Sequence, residues 1–148
     1  MIYALDTNII SYLLRRNYNT EVAKRFETEI DRGNHYVIPP LSYYEITWYL
    51  IRKNAAAQLR IFQELYRNAY TKIGMNETDF ITAAKIKAYL EERGTPISKN
   101  DADIFIAAYC ITNGYTLVTD NIKHFEHIDG LELVNWKEYR HAKNNFCS

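Results

Sequence analysis

The sequence predicts an α/β domain in which a parallel sheet is covered by helices on both faces. Short apolar segments alternate with longer stretches whose apolar residues recur at helical spacing. The short segments are almost continuously apolar, as strands buried on both faces of a parallel sheet usually are. The chain of 148 residues is long enough for one domain with a full core and leaves little room for a second.

The predicted strands are short and end at polar residues or at prolines. Four are clear and one is weak, so we expect a sheet of four to five strands. The segments are IYAL (2–5), YVIPP (36–40), YTLVT (115–119) and LELVNW (131–136), with KIGM (72–75) as the weak candidate.

The segments between these strands are predicted to be helices. Glycine follows several of them, as expected where a helix ends in a left-handed residue; Gly33, Gly94 and Gly114 are the examples. The predicted helices cover 7–16, 20–32, 43–53, 55–69, 77–93 and 100–113, and a short helix or loop follows at 122–128. The polar tail from about residue 137 is expected to add little to the single domain of 1–148.

One helix start carries a capping signal. Ser42 and Glu45 have the S-x-x-E spacing of a capping box, which predicts a helix that begins near Tyr43. Leu41 and Ile46 would then form the accompanying hydrophobic staple. On spacing alone this favours a capping role for Glu45 over a functional one.

Composition excludes some classes of function. Lysine plus arginine and aspartate plus glutamate each number 18, so the net charge is zero. Strong nonspecific binding of nucleic acid needs many cations, so a polyanionic substrate would require a local device such as a bound metal ion. Cys110 and Cys147 show no metal or disulfide spacing, which fits a reducing cytoplasm. No signal peptide or membrane-spanning run is visible, so we expect a cytoplasmic protein with no membrane partner.

Several acids lie where such a fold places its ligands. Ligands of parallel sheets bind beyond the carboxyl ends of the strands. Asp6 follows the first strand, Asp120 and Asn121 follow YTLVT, and Asp103 begins the helix before that strand. For Asp6, a plain helix cap and a ligand-binding acid are both compatible with the sequence.

The segment NDADIFIAAYC (100–110) contains two acids with different predicted roles. Residues two apart on a helix point about 200° away from each other, so Asp101 and Asp103 cannot share one pocket. We assign capping to Asp101, with Ser98 and Asn100 as competitors, and the pocket to Asp103, whose helix face also carries apolar residues.

Convergence of these acids would predict a metal site. Carboxylates that crowd together raise one another's pKa unless a cation intervenes. Ligands that are all oxygen select hard divalent ions such as Mg²⁺ or Mn²⁺. The histidines have no ligand spacing, and His124 and His127 are expected on the surface.

Four pieces of the sequence together resemble a known family. They are DTNIISYLL after the first strand, the acid Glu45 in its helix, DIFIAAYCITNGYTLVTDN, and the closing GLELVNW. The chain is similar to the PIN-domain ribonucleases, and most of all to the VapC toxins of bacterial toxin–antitoxin pairs. The resemblance covers nearly the whole chain and implies a three-layer α/β/α PIN-like fold and metal-dependent RNA hydrolysis.

The resemblance also implies roles for individual residues. Asp6 and Asp103 would hold Mg²⁺ or Mn²⁺, and Glu45 would complete the metal site directly or through water. The family's last acidic position falls on Asn121, and Asp120 beside it is a possible substitute. The catalytic candidates are therefore Asp6, Glu45, Asp103, Asn121 and Asp120.

Partners follow from the same resemblance. It implies an RNA substrate, a homodimer, and a VapB-type antitoxin whose arginine could enter the acidic site. Tyr12 and Trp48 are candidates for base stacking, although Trp48 is expected in the core. Candidates for phosphate contact are Arg15, Arg16, Arg52, Lys53, Lys99 and Lys123, for each of which a solvated surface charge is the simpler interpretation.

Three alternatives remain at this stage. One is a catalytically silent PIN-fold module that only binds protein. Another is a haloacid-dehalogenase-like phosphatase, which needs a second acid two residues after the first, where this chain has Asn8. A receiver-like phosphate acceptor would need an acidic pair after the first strand, and Asp6 stands there alone.

Overall fold

A computed structural model describes residues 1–15, 20–72, 74–95 and 101–137. Within these ranges a four-stranded sheet lies between two layers of helices, which confirms the predicted fold class. All strand pairs are parallel. In chain order the strands are β1 (Ile2–Leu5), β2 (His35–Val37), β3 (Thr116–Val118) and β4 (Leu133–Val134), and their order in the sheet is β2-β1-β3-β4.

Seven helices are present in the described part of the chain, close to the predicted segments. None of them is both long enough and apolar enough to cross a membrane. The weak fifth strand at 72–75 was wrong for Lys72, Gly74 and Met75, which lie outside any strand, and residue 73 lies outside the described ranges. The helices are α1 (Thr7–Leu13), α2 (Glu21–Asp31), α3 (Pro40–Arg52), α4 (Ala56–Arg67), α5 (Glu77–Glu92), α6 (Ala102–Asn113) and α7 (Ile122–Phe125).

The two faces of the sheet bury separate hydrophobic clusters. Alternate residues of a strand point to opposite faces. In β1, Tyr3 and Leu5 pack with residues of α1, α2, α3 and α4, whereas Ala4 packs with residues of α5, α6 and α7. Cys110 lies in the second cluster, as predicted, and burial raises the pKa of its thiol. Cys147 lies outside the described residues.

The strand β1 lies between β2 and β3 and ends at Leu5, directly before Asp6. It pairs with β2 on one side and β3 on the other, and Leu5 is level with Val118. The backbone N–H of Asp6 donates to the carbonyl of Val118 at 3.0 Å, one residue beyond the strand. Asp6 and Thr119 therefore emerge side by side at the carboxyl edge of the sheet.

The helix α3 begins earlier than its sequence pattern predicted. It starts at Pro40, directly after Pro39, and no side chain caps it. Proline suits the first helical position because it has no N–H to leave unpaired. Ser42 therefore lies inside the helix, fully buried, and its hydroxyl has no hydrogen-bond partner. The predicted capping box was wrong.

The predicted hydrophobic staple was wrong for the same reason. Leu41 packs against the cluster on one face of the sheet, and Ile46 belongs to the cluster on the other face. The early start also frees Glu45 from any capping duty. Its carboxylate is turned toward α1 and accepts a hydrogen bond from Thr7.

Candidate active site

Asp6 is a buried acid that also caps a helix. Its Oδ1 accepts the backbone N–H of Thr7 at 2.8 Å, which caps α1, and its Oδ2 accepts the hydroxyl of Thr119 at 2.8 Å. Only 6% of the residue is exposed. The cap predicted for Asp6 is confirmed, and the same carboxylate lies at the carboxyl edge of the sheet, where its role as a ligand-binding acid stays a prediction.

Glu45 reaches the same edge from α3. Its Oε1 accepts the hydroxyl of Thr7 at 3.0 Å. Thr7 thus joins two acids, because its N–H binds Asp6 and its hydroxyl binds Glu45. Burial raises the pKa of the Glu45 carboxyl, the bond from Thr7 opposes that rise, and the charge of Asp103 adds to it.

Asp103 approaches from the first turn of α6. Its Oδ2 lies 3.1 Å from Nδ1 of His124 in α7. Burial is the main cause that raises the pKa of Asp6 to about 6; hydrogen bonds from Thr119 and Thr7 oppose it, and the charges of Asp103 and Glu45 raise it further. The charge of Asp103 therefore acts on both Asp6 and Glu45, although the three residues come from distant parts of the chain.

Asp101 points elsewhere, as its helical position predicted, but it does not cap with its side chain. Both carboxylate oxygens accept hydrogen bonds at 3.1 Å from Lys87 of α5. The residue occupies the N-cap position of α6 without a side-chain capping bond, and only its backbone carbonyl accepts from Phe105. The predicted capping role was wrong for the carboxylate. Ser98 and Asn100 lie outside the described residues.

Asp120 and Asn121 differ in their surroundings. Asp120 accepts the hydroxyl of Tyr12 at 2.9 Å and the amide N–H of Asn8 at 3.3 Å. Asn121 starts α7, where its backbone N–H donates to the hydroxyl of Thr119 at 3.1 Å and its side chain makes no capping bond. Neither side chain hydrogen-bonds to another acid of the edge within the described ranges.

Three polar residues of this edge were missed from the sequence. Thr7 and Thr119 hold Asp6 and Glu45 in place, and their position beside Asp6 and Asp120 in the dipeptides DT and TD was the available signal. His124 was expected on the surface rather than in a metal site; its side chain is 40% exposed, and nothing in the sequence indicated that its ring contacts Asp103. No spacing signal marked it, since the contact depends on how α7 packs.

The donor chemistry of the edge fits a hard divalent cation. Among the described residues, no three or more histidine, cysteine, aspartate or glutamate side chains lie close enough together to hold one metal ion as they stand. Asp6, Glu45 and Asp103 nevertheless offer only oxygen, the ligand that Mg²⁺ and Mn²⁺ prefer. The raised pKa values of Asp6 and Glu45 also identify an electrostatic penalty that a cation would remove.

An aromatic surface adjoins Glu45. Trp48 was expected in the core and this was wrong, since 51% of it is exposed, and Tyr44 is 64% exposed. Both line a cavity of about 460 Å³ together with Thr7 and Glu45. The guanidinium of Arg52 lies over the Trp48 ring, 5.4 Å from its centroid.

The other predicted phosphate-contact residues are on the surface or undescribed. The ammonium of Lys53 lies 5.8 Å from the ring centroid of Tyr49, and Lys123 is exposed. Arg16 and Lys99 lie outside the described residues.

Comparison with known proteins identifies the family of the chain. Residues 3–131 match the PIN domain. The chain is 30% identical over 137 residues to Ribonuclease VapC1 of Haemophilus influenzae, covering 92% of this chain and 98% of the relative. It is 27% identical over 136 residues to Ribonuclease VapC2 of Rickettsia felis, with the same coverage of 92% and 98%.

A solved structure agrees with these relatives. The crystal structure of VapBC2 from Rickettsia felis bound to a DNA fragment from their promoter contains a chain that superposes with a TM-score of 0.77 at 25% identity. The match covers 92% of this chain and 99% of that one. The chain therefore belongs to the PIN-domain family, and the relatives that it matches along nearly their whole length are VapC ribonucleases.

Proposed function

We propose that this protein is a metal-dependent endoribonuclease, the toxin of a VapBC-type toxin–antitoxin pair. It hydrolyses RNA phosphodiesters at the carboxylates of Asp6, Glu45 and Asp103. The observation that carries the proposal is the meeting of these acids at the carboxyl edge of the sheet: Thr7 bonds both Asp6 and Glu45, and the charge of Asp103 acts on both. Its relatives are named ribonucleases, and the hydrolase assignment extends that activity to this chain.

Asp6 and Asp103 would hold Mg²⁺ or Mn²⁺, with Glu45 completing the site. When bound, such an ion activates water and offsets negative charge on the phosphate. Thr7 and Thr119 fix the carboxylate of Asp6 before substrate arrives, which limits reorganisation during the reaction.

We assign Glu45 as the acceptor of a proton from the attacking water. Thr7 occupies its Oε1, which leaves Oε2 for the proton. Its raised pKa brings the carboxyl nearer to the pH range in which such transfers are efficient.

Asn121 and Asp120 receive different roles. Asn121 stands at the family's last acidic position and would hydrogen-bond a water of the site through its amide. Asp120 is already engaged by Tyr12 and Asn8, so we assign it to positioning its neighbours.

The proposal includes partners and a location. Structural neighbours of this chain are VapBC complexes, and we propose a VapB-type antitoxin as its partner. Metal-free, the acidic edge would attract an arginine supplied by such a partner. A homodimer, a single domain over 1–148 and a cytoplasmic location complete the proposal.

The direct test is cleavage of RNA by the purified protein with and without a chelator. We expect cleavage to stop with EDTA and to return with excess Mn²⁺ or Mg²⁺. Cleavage that resists chelation would contradict the metal-dependent mechanism. A folded protein that leaves RNA intact would favour the silent binding module, and hydrolysis of a simple phosphate monoester in its place would favour the phosphatase.

A separate prediction concerns His124. Partners that orient metal-binding carboxylates typically contribute 10–100-fold to metal affinity. We expect His124→Ala to weaken Mn²⁺ binding, measured by calorimetry, roughly tenfold or more. His124→Asn should retain most of the affinity, because the asparagine amide can replace Nδ1 as donor to Asp103.

The neighbouring histidine is the matched control for this measurement. His127 lies one turn away, and its ring is 3.7 Å from Glu126. His127→Ala should bind Mn²⁺ as the wild type does. Equal losses in His124→Ala and His127→Ala, or no loss in either, would contradict an orienting role for His124.

A further inference from the structure

Two cations lie over one aromatic ring beside the acidic edge. The guanidinium of Arg15 is 4.5 Å from the ring centroid of Tyr12, and the ammonium of Lys137 is 4.4 Å from it. Both distances are within the range of attractive cation–π contacts. We call Tyr12, Arg15, Lys137 and Asp120 the cationic ledge.

Asp120 contacts two of the other members of the cationic ledge. It accepts the Tyr12 hydroxyl at 2.9 Å and lies 3.6 Å from the Lys137 ammonium. The contacts of Lys137 with Tyr12 and with Asp120 raise the pKa of its amine, so Lys137 stays charged in the physiological range. Arg15 has no carboxylate partner among the described residues.

The cationic ledge adjoins the proposed catalytic acids through the backbone. Asp120 directly follows Thr119, whose hydroxyl donates to Asp6. In α1, Asn8 stands two residues after Asp6, and its side-chain amide donates to Asp120. The two cations therefore lie at the same edge of the sheet as Asp6, but they contact Tyr12 and Asp120 and not the proposed catalytic acids.

The balance of charge indicates an anionic ligand. Arg15 and Lys137 place two positive charges on one ring, and the single carboxylate of Asp120 offsets one of them. A surface ion pair at 3.6 Å stabilises a protein little, so folding stability alone does not account for this arrangement. An RNA strand crossing the acidic edge needs cations beside it, because carboxylates repel its phosphates.

We propose that Arg15 and Lys137 bind adjacent backbone phosphates of single-stranded RNA, one phosphate each, next to the phosphodiester that is cut. This inference rests on the proposed ribonuclease function and adds the residues that hold the substrate. Tyr12 acts as the platform for the two cations, in place of the base stacking considered from the sequence. Asp120 positions Tyr12 and Lys137 and takes no part in holding metal.

The test measures binding of RNA without cleavage. A fluorescein-labelled single-stranded RNA of about ten nucleotides is titrated with Asp6→Asn protein at a series of salt concentrations. Each phosphate contact on a single strand contributes about 0.7 to the slope of log affinity against log salt. Arg15→Ala and Lys137→Ala should each reduce the slope by about 0.7, and the double variant by about 1.4.

Arg67→Ala is the matched control. Arg67 is an exposed cation at the end of α4, and it pairs with Glu64. This helix contacts β2, which forms the opposite edge of the sheet from β4. Its removal should leave the slope unchanged. Thermal unfolding of each variant confirms that the surface substitutions leave the fold intact.

The outcomes separate the two proposals. RNA binding by the Asp6→Asn parent with an unchanged slope in the Arg15→Ala/Lys137→Ala variant would overturn the cationic ledge as a phosphate site and leave the ribonuclease proposal standing. An equal change of the slope in Arg67→Ala would show that the slope follows net charge alone, and it would also overturn the cationic ledge as a phosphate site. A parent that binds no RNA, with a wild type that cleaves none, would overturn both.

Discussion

Asp6→Asn is expected to abolish RNA cleavage while the fold persists. The substitution removes the most buried of the three acids, whose carboxylate would hold the metal ion, and losses of a hundredfold or more are typical for such groups. Asparagine can still accept the backbone N–H of Thr7 through Oδ1, so the cap of α1 survives. Initial rates on a labelled RNA, with circular dichroism as the check on folding, measure both parts.

Asp103→Asn and Asp101→Asn extend this prediction as a matched pair. They are the same chemical change two residues apart, but Asp103 faces His124 and Asp101 faces Lys87 on the surface. We expect Asp103→Asn to lose cleavage and Asp101→Asn to retain it. The reverse result would show that the assignment of the two acids is inverted.

The acidic edge that we propose as the active site could be predicted from the sequence because two regularities suffice to assemble it. Parallel strands bring their carboxyl ends to one edge, which collects Asp6 and the residues after YTLVT. Residues two positions apart on a helix point about 200° away from each other, which assigns Asp103 and Asp101 to different surroundings. Both arguments depend on local periodicity, and the structure agrees with them.

Glu45 shows where local pattern misleads. Ser42 and Glu45 have capping spacing, but Pro40 starts the helix three residues before the predicted position. Because the helix begins earlier, Glu45 does not cap it, and its carboxylate accepts a hydrogen bond from Thr7 instead. It also leaves Tyr44 and Trp48 on the exposed side of α3, where the sequence placed Trp48 in the core.

Other features depend on contacts that no local pattern contains. Asp120 meets Tyr12 across 108 positions of the chain, and Asp103 meets His124 across 21. The resemblance places the fourth site residue on Asn121, with Asp120 as a substitute. The structure adds that Asp120 is bound by Tyr12 and Asn8 of α1, a contact that no local sequence pattern contains.

The metal-free protein is expected to lose stability as the pH rises. The pKa of Asp6 is about 6 in the folded state against an ordinary value of 3.8. Between these values the Asp6 carboxyl binds more protons in the folded protein than in the unfolded chain, so its contribution to stability is fully present below about pH 4 and is lost as the pH rises through about 6. The loss attributable to Asp6 is on the order of 3 kcal/mol, and Glu45, whose pKa is also raised, contributes in the same direction.

The difference between wild type and Asp6→Asn isolates this effect from the other titrating groups. Urea unfolding in EDTA from pH 4 to pH 8 should show Asp6→Asn gaining on the wild type as the pH rises, because asparagine carries no charge to bury. Adding Mn²⁺ at pH 8 should restore the wild type more than the variant, since a cation held by the acids offsets the cost of the buried negative charge. A difference in unfolding free energy that stays constant across this pH range would show that the carboxylate of Asp6 carries no electrostatic penalty, and the case for a cation at this edge would lose its physical basis.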